Sequence, residues 1–153
     1  MTNEARRAFL SALRTDATLI GLLAADPTDG SSPAIFLYNG ALPPVYPSVT
    51  YRLADSTPDP AFRPTNAEGG GVGTIAEGRA ELRIYAKGAV HRRDAIAEAV
   101  RNAAEGVALT RAGWTGRLFR VEIVTESPDN FDPALDDFYH LIRFRLRQWT
   151  PTS

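Results

Sequence analysis

Residues 139–149, with the sequence YHLIRFRLRQW, alternate between apolar and charged side chains over most of their length. Successive side chains of a β-strand point to opposite faces of a sheet. One face would therefore carry three apolar residues, Ile142, Phe144 and Leu146. The other would carry a row of cations, Arg143, Arg145 and Arg147. This pattern predicts a strand with one face in the core and an arginine ladder on the other.

Two more stretches alternate in the same way. In residues 79–86, Ala80, Leu82 and Ile84 share one side of an extended chain. In residues 118–126, the inward set is Phe119, Val121 and Ile123, and the outward set is Arg120, Glu122 and Glu126. Shorter runs at 34–38 and 49–53 also predict strands, because they are rich in β-branched and aromatic residues between turn signals.

Helical spacing occurs in two parts of the chain. Near the amino terminus, Thr2 or Asn3 can cap a helix, and Thr15 and Asp16 can cap a second one before Leu19. Residues 91–105 place Ile96 and Val100 on one helical face. The order of elements predicts a single α+β domain over residues 1–153, with helices packed on one face of a mostly antiparallel sheet of about four to six strands.

Residues 54–78 have a different character. They hold five of the chain's twelve glycines, with three in succession at 69–71, and prolines at 58, 60 and 64. A 25-residue segment without periodicity is unusual inside a compact domain. We expect a long flexible loop or hairpin arm that a partner orders.

Composition excludes several classes of protein. Seventeen basic residues stand against eighteen acidic ones, and the net charge of −1 argues against a free-standing DNA-binding protein. The chain has no cysteine, which excludes disulfides, thiolate nucleophiles and iron–sulfur clusters. Without a long apolar run or a signal-peptide pattern, a soluble cytoplasmic chain with no membrane contact is expected.

The chemical motifs of enzymes are missing from the sequence. His91 and His140 lack the convergent ligands of a zinc site and are predicted to be surface or interface residues. Residues 71–76 match a loose dinucleotide-binding pattern, but no strand is predicted before them. An acidic segment is open to two interpretations, a solvated loop or a hard-cation site, and comprises Asp129, Asp132, Asp136 and Asp137. We expect no enzymatic activity, no cofactor and no metal.

The arginine ladder also has two interpretations. Arg143, Arg145 and Arg147 can pair across the sheet with Glu81, Glu122 or Glu126, which gives ordinary cross-strand support. Alternatively, the ladder is exposed to a phosphate backbone or an acidic partner. The near balance of charges in the whole chain favours pairing within the sheet.

Three segments together resemble a known family. They are IFLYNGALPP at 35–44, VYPSVTY at 45–51 and YHLIRFR at 139–145. Their order resembles that of the tail-completion or tail-terminator proteins, which join heads and tails in long-tailed bacteriophages and gene transfer particles. The resemblance implies a small α+β unit that assembles into a six-fold ring in the virion, after synthesis in the bacterial cytoplasm.

The resemblance also implies partners. The ring would cap the tail tube on one side and meet a neck or head-completion protein on the other, while DNA passes through the lumen without specific binding. Subunit contacts are expected from the long segment, at Phe62, Arg63, Val72 and Ile75. The arginine ladder is expected to face acidic neighbours or the lumen.

Three alternatives remain open from the sequence. The first is a head-completion or stopper protein nearer the portal. The second is a small-ligand binding domain that uses residues 54–78 as a lid over Phe62, Trp114 and Trp149. The third, an enzyme that acts through carboxylates alone, finds no carboxylate pair that the spacing places together.

Overall fold

The structure is a computed structural model that describes residues 2–40, 43–55, 73–105, 109–134 and 136–151, without the side chains of Thr74 and Phe119. In these ranges the elements are α1 (Asn3–Arg14), α2 (Ala17–Leu22), β1 (Ile35–Leu37), β2 (Ser48–Asp55), β3 (Gly73–Tyr85), α3 (Val90–Ala104), β4 (Arg117–Asp132) and β5 (Asp137–Pro151). None of the described helices combines the length and the apolar character that crossing a membrane requires.

The described strands form one five-stranded sheet in the order β1-β2-β3-β5-β4. Three of its four neighbouring pairs are antiparallel, and only β1 runs parallel to β2. The α+β class and the mostly antiparallel sheet are confirmed. The parallel first pair also explains why the proline-rich connection after Asn39 is not a tight hairpin, since parallel strands need a longer crossover.

The helices lie on one face of the sheet, and the core is between them. Phe9 of α1 packs edge-on against Phe144 of β5, with 5.6 Å between the ring centroids. The apolar sets predicted for β3 and β5 are confirmed as buried: Ala80, Leu82, Ile84, Ile142, Phe144 and Leu146. Ile96 and Val100 of α3 are also fully buried in this cluster.

The first two helices begin where the sequence predicts. The Thr2 hydroxyl accepts a hydrogen bond from the backbone N–H of Ala5, and the Asp16 carboxylate accepts one from Leu19. Each bond satisfies a backbone donor that the first turn of a helix leaves without a partner.

Strand β3 is longer than the sequence predicts. It begins at Gly73 rather than near residue 79, and β2 continues to Asp55. Gly78 interrupts the side-chain alternation, so the local pattern does not indicate a strand before residue 79. The structure shows that β3 pairs with β5 from Gly73, which lies opposite Pro151. The predicted arm at 54–78 is therefore strand at both ends, and its residues 56–72 lie outside the described ranges.

Strand β4 corrects two other predictions. The register between β4 and β5 shifts at three places, and a shift between Ile123 and Thr125 turns Glu126 to the helix side, opposite Ile142. Glu126 therefore does not point outward with Glu122. The predicted acidic connection at 127–133 is mostly strand, since β4 continues to Asp132.

Candidate functional site: the open face of the sheet

The sheet face opposite the helices, which we call the open face, is densely charged at its centre. Strand alternation places ten charged side chains there: Arg52, Glu77, Arg79, Glu81, Arg83, Arg120, Glu122, Arg143, Arg145 and Arg147. Seven arginines and three glutamates give these ten residues a net charge of +4. The centre of the open face is therefore basic although the whole chain has a net charge of −1.

The arginine ladder is paired across the sheet. Arg143 donates to Glu81 at 3.1 Å and Arg145 donates to Glu122 at 2.7 Å. Both pairs are in direct register, where cross-strand partners interact best. The prediction of pairing within the sheet is confirmed for these two glutamates.

The third arginine has a partner that the sequence did not identify. Arg147 donates to Glu77 at 2.9 Å, and the two residues are in direct register. The sequence does not indicate Glu77 as a partner, because the glycines around it place residues 73–78 in the expected flexible arm. Extending the alternation of β3 backwards through Gly78 would have found it.

Two glutamates are each shared between arginines. Glu81 also accepts from Arg83 at 3.2 Å, and Arg120 lies 3.5 Å from Glu122. The hydrogen bond from Arg145 lowers the pKa of Glu122 below its ordinary value. Burial raises the pKa of Glu81. The hydrogen bonds from Arg143 and Arg83 together lower it by more than burial raises it, so the net shift is downward. Both carboxylates are therefore ionised at neutral pH.

Like charges also meet directly on this face. Arg79 lies opposite Arg145, and Arg120 lies opposite Arg147. Such pairs are locally destabilising. Within the part of the chain that the structure describes, no ion pair is formed by Arg52 or Arg79, and both are exposed.

A groove of about 390 Å³ crosses the open face. Three arginines (Arg52, Arg79 and Arg143) and one glutamate (Glu81) line it, together with the apolar residues Ala54, Ala80, Val124 and Phe144. Val124 is the extra residue of the β4 bulge between Ile123 and Thr125. It is 43% exposed, because the bulge turns its side chain towards the arginines of the open face. The groove thus offers cations and an apolar contact together.

One end of the open face is aromatic rather than charged. The Arg83 guanidinium lies 4.5 Å from the ring centre of Tyr38 and 4.9 Å from that of Tyr139. Beside it, Tyr85 is buried, and burial raises the pKa of its hydroxyl. Cation–π contacts of this kind hold a guanidinium in place, so the two tyrosines fix the position of Arg83 at this end.

The hairpin tip, residues 131–138 between β4 and β5, combines aromatic and acidic side chains. Phe131 and Phe138 face each other with ring centroids 5.2 Å apart, and they are 50% and 48% exposed. Asp132 and Asp137 lie directly opposite each other in the strand pair. Together with exposed Asp136, they give the tip a strongly negative charge.

The acidic segment is not a metal centre in the described ranges. No group of three or more potential metal-ligating side chains comes together there. Asp129 instead accepts a hydrogen bond from Arg93, a buried side chain of α3. This ion pair ties the hairpin to the helical layer.

The two histidines have different environments. His91 is exposed at the start of α3, as predicted. His140 is buried, and its Nε2 lies 2.7 Å from Glu126, which Arg101 also contacts. The prediction of a surface position is wrong for His140, because the β4 bulge brings Glu126 to the helix side, where its carboxylate is a partner for Nε2 of the buried imidazole.

The predicted subunit contacts are only partly visible. Ile75 lies in β3, half-buried and opposite Trp149. Phe62, Arg63 and Val72 lie outside the described ranges.

Two of the three residues predicted to line a ligand pocket, Trp114 and Trp149, lie within the described ranges. Neither Trp114 nor Trp149 lines the groove. The Trp149 indole instead lies against the backbone of Gly73, where a Cβ would overlap the ring. Trp149 thus has a packing role, and the third predicted lining residue, Phe62, is outside the described ranges.

The fold is similar to that of a chain in a solved structure described as "Virion of native gene transfer agent (GTA) particle". The TM-score is 0.57 and the sequence identity is 21%. The similarity covers 94% of this chain and 93% of that chain. It therefore applies to the whole fold and not to a fragment. No protein-family model matches the sequence, and a search of curated proteins finds no match.

Proposed function

We propose that this chain is a structural virion protein of a long-tailed phage or gene transfer particle, and that it forms a ring at the head-proximal end of the tail tube. The ring stops tube growth and joins the tail to the neck. The observation that carries this proposal is the similarity of fold, over nearly the full length of both chains, to a chain of a gene transfer agent virion. The three sequence segments that resemble tail-terminator proteins support the same role.

The chemistry of the open face fits a contact surface better than a catalytic one. Its glutamates are ionised and held by arginines, so they are poorly suited to donate or abstract protons near neutral pH. Charges arranged on a rigid sheet instead favour recognition of a complementary protein surface. A non-enzymatic, cofactor-free role follows from this proposal.

The ring places the chain between two partners. Six copies surround a lumen through which DNA passes without specific binding; the tail tube contacts one side and a neck or head-completion protein the other. The segment between β2 and β3 carries the proposed subunit contacts, Phe62, Arg63, Val72 and Ile75. Deletion of residues 66–74 is expected to abolish head–tail joining, and unimpaired joining would contradict this assignment.

The proposed function is tested by deleting the gene in its source phage or prophage and examining the lysate by electron microscopy. We expect overlong tail tubes beside full, unjoined heads, and restoration of joined particles when the chain is supplied from a plasmid. Antibody labelling should place the chain at the tail end nearest the head.

Other outcomes distinguish the alternatives. Leaking heads beside tails of normal length would move the chain to the neck as a stopper protein. Infectious particles of normal appearance would overturn a virion role.

A further inference from the structure

The hairpin tip has features that the folded chain alone does not require. Two phenylalanines remain about half exposed, and two aspartates are directly opposed in the strand pair. Exposed aromatic pairs lose the benefit of burial, and like charges in register are destabilising. A surface that buries the rings and supplies positive charge would relieve both.

The groove on the open face has the complementary features. Arg52 and Arg79 line it, and neither is ion-paired within the described residues. Arg79 also lies opposite Arg145, a like-charge pair that an acidic occupant would relieve. Val124 offers an apolar contact, and the 390 Å³ volume is in the range of sites that hold ligand-sized groups.

The tip cannot reach the groove of its own chain. Val124 and Asp132 belong to the same strand, and at about 3.3 Å per residue the eight steps between them span about 26 Å. Since β5 pairs with β4 on both sides of the register shift between Ser127 and Asn130, the hairpin stays extended over this distance and its tip lies away from the groove. Any occupant with the chemistry of the tip must come from a second copy.

We propose that the acidic, aromatic hairpin tip of one copy docks in the basic groove on the open face of the next copy. The contact is head-to-tail, because it joins two different surfaces, and such contacts generate closed rings when the rotation between copies closes. The inference rests on the proposed function in one respect: a ring gives this contact its purpose.

A nucleic acid is a poorer occupant of the groove than a protein. Glu77, Glu81 and Glu122 interrupt the row of arginines that a continuous run of DNA phosphates would follow, whereas a short acidic tip can contact Arg52 and Arg79 alone. The paired arginines are also already engaged with carboxylates. An acidic tip that carries two aromatic rings uses both the free cations and Val124, whereas a phosphate backbone uses only the cations.

Cysteine cross-linking tests the contact directly, since the natural chain has no cysteine. The test variant combines Ala134→Cys at the exposed tip with Val124→Cys in the groove, and a short bis-maleimide reports their proximity. The matched control combines Ala134→Cys with Glu98→Cys, an exposed position on α3 at the other face of the sheet. Both variants are treated as concentrated purified protein and as assembled particles.

The expected result is a ladder of cross-linked species beyond the dimer for the tip–groove pair and not for the control pair. Each single-cysteine variant should stop at the dimer. A ladder that is absent from both preparations, or equally strong for the control pair, overturns the proposal.

Charge reversal supplies a second, independent readout. Arg52→Glu with Arg79→Glu, added to the cross-linking variant, should reduce the ladder at least about tenfold, because close charge pairs across an interface couple strongly. Arg7→Glu with Arg111→Glu changes the net charge equally at two exposed positions outside the groove and should leave the ladder intact. Equal loss in both variants would contradict docking in the groove.

Two other outcomes separate this inference from the proposed function. A tip–groove ladder from the purified chain, with the chain absent from particles, would retain the contact and reject the virion role. Particles that contain the chain but give no cross-linked ladder would retain the virion role and reject the contact. Binding of double-stranded DNA that only the Arg52→Glu, Arg79→Glu variant loses, with cross-linking unchanged, would assign the groove to nucleic acid and overturn the proposal.

Discussion

The two faces of the sheet are built from the same strands but have different chemistry. On the helix side, Ile142, Phe144 and Leu146 of β5 are fully buried. On the open face, the side chains of Arg143, Arg145 and Arg147 are 29% to 49% exposed and pair with glutamates. One face holds the fold together, and the other presents an ordered array of charge at little cost to stability.

The magnitudes of the two kinds of contact differ severalfold. Burying one large apolar side chain contributes about 1.5–3 kcal/mol, whereas an exposed ion pair contributes about 0.2–1 kcal/mol. Alternation along a strand therefore lets substitutions on the open face alter recognition while the fold persists. The predictions below compare the two faces at adjacent residues.

The largest effect is expected on the covered face. Phe144→Ala removes a fully buried ring that packs on Phe9 and should lower the free energy of unfolding by about 3–5 kcal/mol. The neighbouring Arg143→Ala, on the open face, is the matched control and should cost no more than about 1 kcal/mol. Urea denaturation followed by circular dichroism measures both, and similar losses would contradict the assignment of the faces.

A smaller loss is expected where the covered face carries a charge. Arg93 is buried, and Asp129→Ala would leave its guanidinium without this carboxylate. Hydrogen bonds to charged groups contribute about 1.5–3 kcal/mol, so this variant should be destabilised by that amount. The matched control is Asp94→Ala, which removes an exposed carboxylate from α3, the helix that carries Arg93. It should change stability by less than about 0.5 kcal/mol. Equal effects of the two variants would show that the Arg93 contact is not structural.

How far the sequence predicts each face depends on how regular the strands are. The alternation in β5 correctly predicted both its buried side and the arginine ladder, because an uninterrupted strand has a strict period of two. It also predicted two partners of the ladder, Glu81 and Glu122. Thr2 and Asp16 were predictable as caps because capping depends on local sequence.

The remaining features depend on contacts between strands. A bulge in β4 moves Glu126 to the helix side beside His140, and nothing in the local pattern marks that extra residue. Glu77 and the early start of β3 at Gly73 were missed because pairing with β5 defines them. The acidic run after Ser127 has a turn-like composition, yet β5 holds it as strand. Register is a tertiary property, and a single local sequence does not encode it.

The coupling between Arg145 and Glu122 measures how little stability the open face supplies. A double-mutant cycle with Arg145→Ala and Glu122→Ala should give about 0.2–1 kcal/mol, because both side chains are about one third exposed. The coupling should weaken between low salt and 1 M salt as the charges are screened. A coupling above about 2 kcal/mol that is insensitive to salt would show that this pair is a major contributor to the stability of the fold.

The smallest expected effect is the response of the open face to pH. The hydrogen bond from Arg145 lowers the pKa of Glu122 below its ordinary value of 4.5. Because the folded-state pKa is the lower one, the stabilisation is complete above 4.5 and is lost as the pH falls through the folded-state pKa. NMR titration of the Glu122 carboxyl should show the lowered pKa, and Arg145→Ala should return it towards 4.5. A Glu122 pKa that Arg145→Ala leaves unchanged would show that Arg145 does not hold this carboxylate.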